Sequence, residues 1–109
     1  MTVISFAALK SIRQLKTHRQ ELVAVLDNVR ETLAKLFEVG LVYHGNGSRT
    51  ARDLLEAQEH LSDALDALDA LPDDTDERND EAKRIHGLLA QAGTLATRAM
   101  DRLKQLTPA

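Results

Sequence analysis

Apolar residues recur along this chain in three runs of alternating three- and four-residue steps, the spacing that aligns side chains on one face of an α-helix. The first run is Ile12, Leu15, Leu22, Leu26, Val29, Leu33 and Leu36, with Arg19 the one polar residue on the stripe. Gly40 follows where a C-terminal cap would sit, so the pattern predicts a helix over about 5–39, roughly 50 Å long at 1.5 Å per residue. The second run is Ala51, Leu54, Gln58, Leu61, Leu65 and Leu68, and it ends where Leu71 meets Pro72. Proline biases the residue before it away from helix, which predicts a second helix over about 51–71. The third run is Ala82, Ile85, Leu89, Ala92, Ala96, Ala99, Leu103 and Leu106, and it stops at Thr107-Pro108. It predicts a helix over about 78–106.

The stretch GLVYHGNGSRT, residues 40–50, separates the first two runs, and Thr50 with Asp53 three positions later has the spacing of a capping box. A loop over 40–50 and a new helix from Ala51 are therefore expected. An acidic turn at 72–77 separates the second and third runs. Short connections place successive helices antiparallel. The expected fold is all-α: an up-down-up three-helix bundle, or an extended helical hairpin with a third packed helix, with coiled-coil-like a/d seams in one domain over 1–109. The second helix, at about 33 Å, is shorter than the first. Ile4, Phe6 and Leu9, or Phe37, Leu41 and Val42, are then left uncovered, and such patches accompany dimerisation or a protein partner. Gly87 and Gly93 interrupt the third run, each at about 1 kcal/mol relative to alanine. They mark close packing or a weak spot.

A chain of 109 residues has material for one modest core. It holds no cysteine, which removes disulfides, thiolate nucleophiles and cysteine-based zinc sites. No apolar run reaches the eighteen or so residues of a membrane span, and the charges of the N-terminal stretch follow its apolar part, the reverse of a secretory signal. A cytoplasmic protein with no membrane contact is expected.

Charge changes the picture more than composition does. Residues 61–81 pack nine carboxylates and one arginine into a chain whose net charge is only −3. Residues 1–52 carry eight basic and four acidic side chains, 53–81 one basic and twelve acidic, and 82–109 five basic and one acidic. Asp63, Asp66 and Asp69 follow three-residue steps and fan across about 120° of helix surface. Two uses of this block compete. The antiparallel topology brings Lys10, Arg13, Lys16 and Arg19 to the end occupied by residues 66–81, where opposite charges would meet within the fold. Alternatively the block docks a basic partner, because dense charge of one sign accelerates association. The residues expected to touch that partner are Glu56, Glu59, Asp63, Asp66, Asp69, Asp73, Asp74 and Asp76, with Phe6, Leu9, Phe37 and Leu41 as apolar contacts. The partner expected is another protein, one with a basic, nucleic-acid-binding surface, or a second copy of this chain. Direct nucleic-acid binding is not expected, since the net charge is negative and the basic residues are scattered.

Glu56, His60 and Asp63 stand at i, i+4 and i+7, a spacing metal ligands use, but on one open face with no second helix contributing. Asp74 and Asp76 do not start a calcium loop, because Asn79 stands where its glycine belongs and Ile85 where its glutamate belongs. HGNGSRT lacks the Gly-Lys-Ser/Thr of a phosphate-binding loop. Arg13 and His18 have an Arg-x4-His spacing that resembles the signature of HEPN-type helical ribonucleases, one that nine arginines and four histidines meet about once by chance. The run His86-Gly87 with Gly93 resembles histidine phosphotransfer domains, which are helical bundles of similar length, and that resemblance implies phosphorylation of His86. It departs from them in having Leu88, Leu89 and Ala90 where that family carries a basic residue and a glycine. No acid–base pair in contrasting environments is evident. No enzyme activity, metal or cofactor is expected. The function expected is a non-catalytic protein–protein interaction module, acting as adaptor, chaperone or inhibitor, with phosphotransfer through His86 as the alternative.

Overall fold

A computed structural model describes residues 11–40, 43, 45–76 and 78–106. They form α1 (Ile12–Thr17), α2 (Arg19–Glu38), α3 (Gly45–Ala70) and α4 (Asp80–Leu106). The fold is an all-α bundle, with no strand among the described residues. Its three long helices alternate in direction. Arg19 at the start of α2 reaches Asp69 at the end of α3, and Asp53 near the start of α3 reaches Arg102 near the end of α4.

The first helix departs from expectation. Its predicted start near residue 5 lies outside the described residues, and the described helix opens at Ser11 with a complete capping box. The Ser11 hydroxyl accepts the Gln14 N–H at 3.1 Å, and the Gln14 side chain accepts the Ser11 N–H at 3.1 Å. Two otherwise unpaired amides are thereby satisfied. The helix then breaks at His18, whose backbone (φ −100°, ψ 20°) joins α1 to α2. The break falls beside Arg19, the polar member of the apolar stripe, whose guanidinium turns out to the surface toward Asp69. Gly40 closes α2 at φ +73°, the left-handed conformation glycine adopts without steric cost.

The second connection is also corrected. Helix α3 begins at Gly45, six residues before the expected Ala51, and Thr50 is not a cap. Thr50 is fully buried and its hydroxyl donates to the Asn46 carbonyl at 2.7 Å, while Asp53 pairs with α4. Packing overrides the low helix propensity of Gly45, Asn46 and Gly47. The added turns give α3 26 residues, so the buried side of α2 is covered from Leu22 to Leu36. Asn79 caps α4, accepting from the Glu81 and Ala82 amides.

Every apolar member of the first stripe is buried. On α3 the buried line runs Gly47, Thr50, Leu54, Ala57, Leu61, Ala64 and Leu68, an unbroken three-four alternation that takes Ala57 in place of the expected Gln58. On α4, Ala82, Ile85, Leu89, Ala92 and Ala99 are buried and Ala96 and Leu103 pack against them. The side chain of Leu106 lies outside the described residues. The α3/α4 contact is the most extensive in the bundle, and alanines on both helices let their backbones approach. The described residues span 47 × 25 × 18 Å.

Gly87 is the weak spot and not a packing device. It is exposed, its φ is not positive, and a Cβ there would meet nothing within 4 Å. Gly87→Ala is expected to raise stability by about 0.5–1 kcal/mol and the melting temperature by a few degrees in thermal unfolding. No gain would mean that Gly87 carries a packing duty this geometry does not show.

Candidate acidic docking surface

The acidic residues fall into two groups, one answered within the fold and one left facing solvent. Arg19 holds Asp69 through two parallel bonds, Nε to Oδ1 at 2.7 Å and Nη2 to Oδ2 at 2.8 Å. Lys16 donates to Asp73 Oδ1 at 2.8 Å and to the carbonyl of Leu71, the residue that follows α3. Basic residues at the start of the chain therefore meet carboxylates at the end of α3, as antiparallel topology requires. Of the four named for this role, Arg13 stays exposed and Lys10 lies outside the described residues.

These contacts leave an electrostatic signature. The hydrogen bond from Arg19 lowers the Asp69 pKa, and the hydrogen bond from Lys16 lowers that of Asp73. Asp76 is lowered first by the Arg78 backbone amide and then by the Arg78 side chain. A carboxylate whose folded pKa lies below its unfolded value contributes stability above the unfolded pKa, and the contribution is lost as pH falls through the folded value. Melting temperature is thus expected to fall as pH drops from about 5 to about 2, the range where such carboxylates protonate. Asp69→Asn should fall less steeply over that range. An unchanged slope would show that this pair does not couple to folding.

Asp63 and Asp66 make no ion pair among the described residues, although Asp66 lies within the field of Arg19. Both are exposed on α3, and together with Ala67, Ala70 and Leu71 and with Glu81 and Arg84 of α4 they line a shallow groove. Arg84 bonds Glu81 and lies within the field of Asp63. The lining includes three carboxylates and one guanidinium. It combines apolar contact with net negative charge, which suits the aliphatic stem and cationic tip of a lysine or arginine.

The remaining residues named from the sequence are scattered. Glu56, Glu59 and Asp74 are exposed, and Asp76 pairs with Arg78 at 3.4 Å. Phe37 is 56% exposed on α2. Phe6, Leu9 and Leu41, like Ile4 and Val42, lie outside the described residues. The structure divides the Glu56, His60, Asp63 set: Glu56 and His60 line a separate groove with Gln91, Thr94 and Arg98 of α4, whereas Asp63 belongs to the acidic one. His86 is half-buried on α4 beside the buried Ile85. Exposed Leu55, Val39 and Tyr43 were not indicated by periodicity, although Leu55 is the one leucine of α3 outside both the expected stripe and the buried set. That offset is the signal that finds it.

An all-α bundle with an acidic, partly apolar groove is the class that fold and surface define. No protein-family model matches this chain, and neither a curated protein nor a solved structure matches it.

Proposed function

We propose that this chain is a non-catalytic protein–protein interaction module whose acidic α3/α4 groove takes a basic segment of another protein. The observation that carries the reading is the division of the acidic block: Asp69 and Asp73 are occupied by Arg19 and Lys16, whereas Asp63 and Asp66 make no ion pair among the described residues and line a groove with Ala67, Ala70 and Leu71. Ion pairs made within the fold stabilise the bundle and set its register. Carboxylates left at a rim accelerate and orient association. A basic nucleic-acid-binding surface presents the complementary chemistry, which makes an inhibitor or chaperone of such a protein the specific form of the proposal.

The test is capture from native host lysate on the immobilised full chain, comparing it with an Asp63→Asn/Asp66→Asn variant at low and high salt. Retention of basic proteins at low salt, lost at high salt and lost in the variant, is the expected result. The same proteins held by both chains at both salt levels would sink the proposal. His86→Gln should leave capture unchanged, whereas a phosphotransfer role would end phosphate uptake from a phosphodonor.

A further inference from the structure

The outer edge of the α2/α3 contact carries a pattern that complements itself. The Arg19–Asp69 pair marks that edge at one end of the bundle. Phe37 lies eighteen residues after Arg19, about five helical turns, and so on the same side of α2. Leu55 lies fourteen residues before Asp69, close to four turns, and so on the same side of α3. Phe37 is 56% and Leu55 47% exposed. Arg52 precedes Leu55 by three residues and Glu59 follows it by four, which places all three within about 60° on the outward face of α3. Arg52 and Glu59 are exposed, and neither takes part in any of the ion pairs found among the described residues.

We infer that two copies of this chain associate antiparallel through this face, with Leu55 meeting Leu55 of the second copy on a two-fold axis. A two-fold axis makes an interface of one patch with itself, so residues on either side of the centre exchange partners. Arg52 of each copy then lies opposite Glu59 of the other, giving two intermolecular ion pairs around the leucine contact, with Phe37 extending the apolar area on the neighbouring helix. A parallel arrangement would set Arg52 against Arg52 and Glu59 against Glu59, and like charges in register disfavour it. Of the two ways in which a second copy can lie along this face, only the reversed one sets unlike charges opposite each other, and that self-complementarity is what argues for a second copy as the occupant of the exposed leucine. Asp66 lies farther along the same face of α3, but the substitutions that test this interface, at Arg52 and Glu59, leave Asp63 and Asp66 of the acidic groove unchanged.

Sedimentation velocity on the full chain across a range of concentrations tests it. The chain is expected to populate a dimer, and Arg52→Glu and Glu59→Arg singly should each weaken dimerisation about tenfold, or about 1.4 kcal/mol. The double variant Arg52→Glu/Glu59→Arg restores opposite charges and should return the dimer. Both substitutions lie at exposed positions, so circular dichroism melts of all three variants should stay close to the parent. A monomer at every concentration, a dimer indifferent to both single changes, or a double variant no better than the singles would each overturn the inference.

Discussion

Leu61→Ala is expected to cost about 2–5 kcal/mol, a large part of the roughly 5–15 kcal/mol that holds a domain of this size together. Leu61 is 1% exposed at the middle of α3, the helix that packs on both α2 and α4. Truncation there loses the transfer energy of the side chain and opens a cavity that two neighbouring helices would have to collapse together to fill. Urea unfolding followed by helical circular dichroism measures the loss. Leu55→Ala, six residues earlier on the outward face, is the control and should change monomer stability by about 0.5 kcal/mol or less. Equal losses at the two positions would mean that the buried line on α3 is wrongly placed, and the alternation through Ala57 and Ala64 with it.

The second large effect belongs to Arg102. Its Nη1 donates to Asp53 Oδ2 at 3.0 Å, and the two side chains are only 19% and 15% exposed, the most sheltered ion pair among the described residues. Arg102→Ala leaves the Asp53 carboxylate sheltered from water without its cation, at an expected cost of about 2 kcal/mol. Arg19→Ala breaks a pair whose side chains are 42% and 48% exposed and should cost no more than about 1 kcal/mol. A double-mutant cycle separates the pair from its surroundings. Asp53→Ala/Arg102→Ala is expected to cost clearly less than the two single changes added together. Strict additivity would show that the pair carries no coupling of its own.

The all-α class and the order of the three apolar stripes were legible because burying a stripe of side chains on a helix leaves a periodic trace in the chain, although the first stripe is carried by two helices and not one. All seven apolar members of the first stripe and the main positions of the third are buried as the spacing implies. The charge logic was legible for the same reason. Once successive helices run antiparallel, Lys16 and Arg19 must lie near Asp73 and Asp69. Loop chemistry misled where it was read alone. Residues 45–50 hold two glycines and an asparagine, a composition that argues for a loop, yet Gly47 and Thr50 are small enough to continue the buried line of α3 against its neighbours.

What the amino-acid pattern determined by itself is which faces are apolar, where the chain turns at Gly40 and Pro72, and that acid and base meet at one end. Those features depend on residues close in sequence and on the direction of the helices. The tertiary structure alone decided the break at His18, the early start of α3, and the passage of the buried line through Ala57 in place of Gln58. It alone sorted the carboxylates into paired and unpaired sets and left Leu55 with Arg52 and Glu59 on an outer face. Each of these depends on how closely two helices approach and how one is rotated against the next. Rotation by one residue, about 100°, exchanges a buried side chain for an exposed one. That choice is settled by packing between elements far apart in the chain, where local spacing carries no record of it.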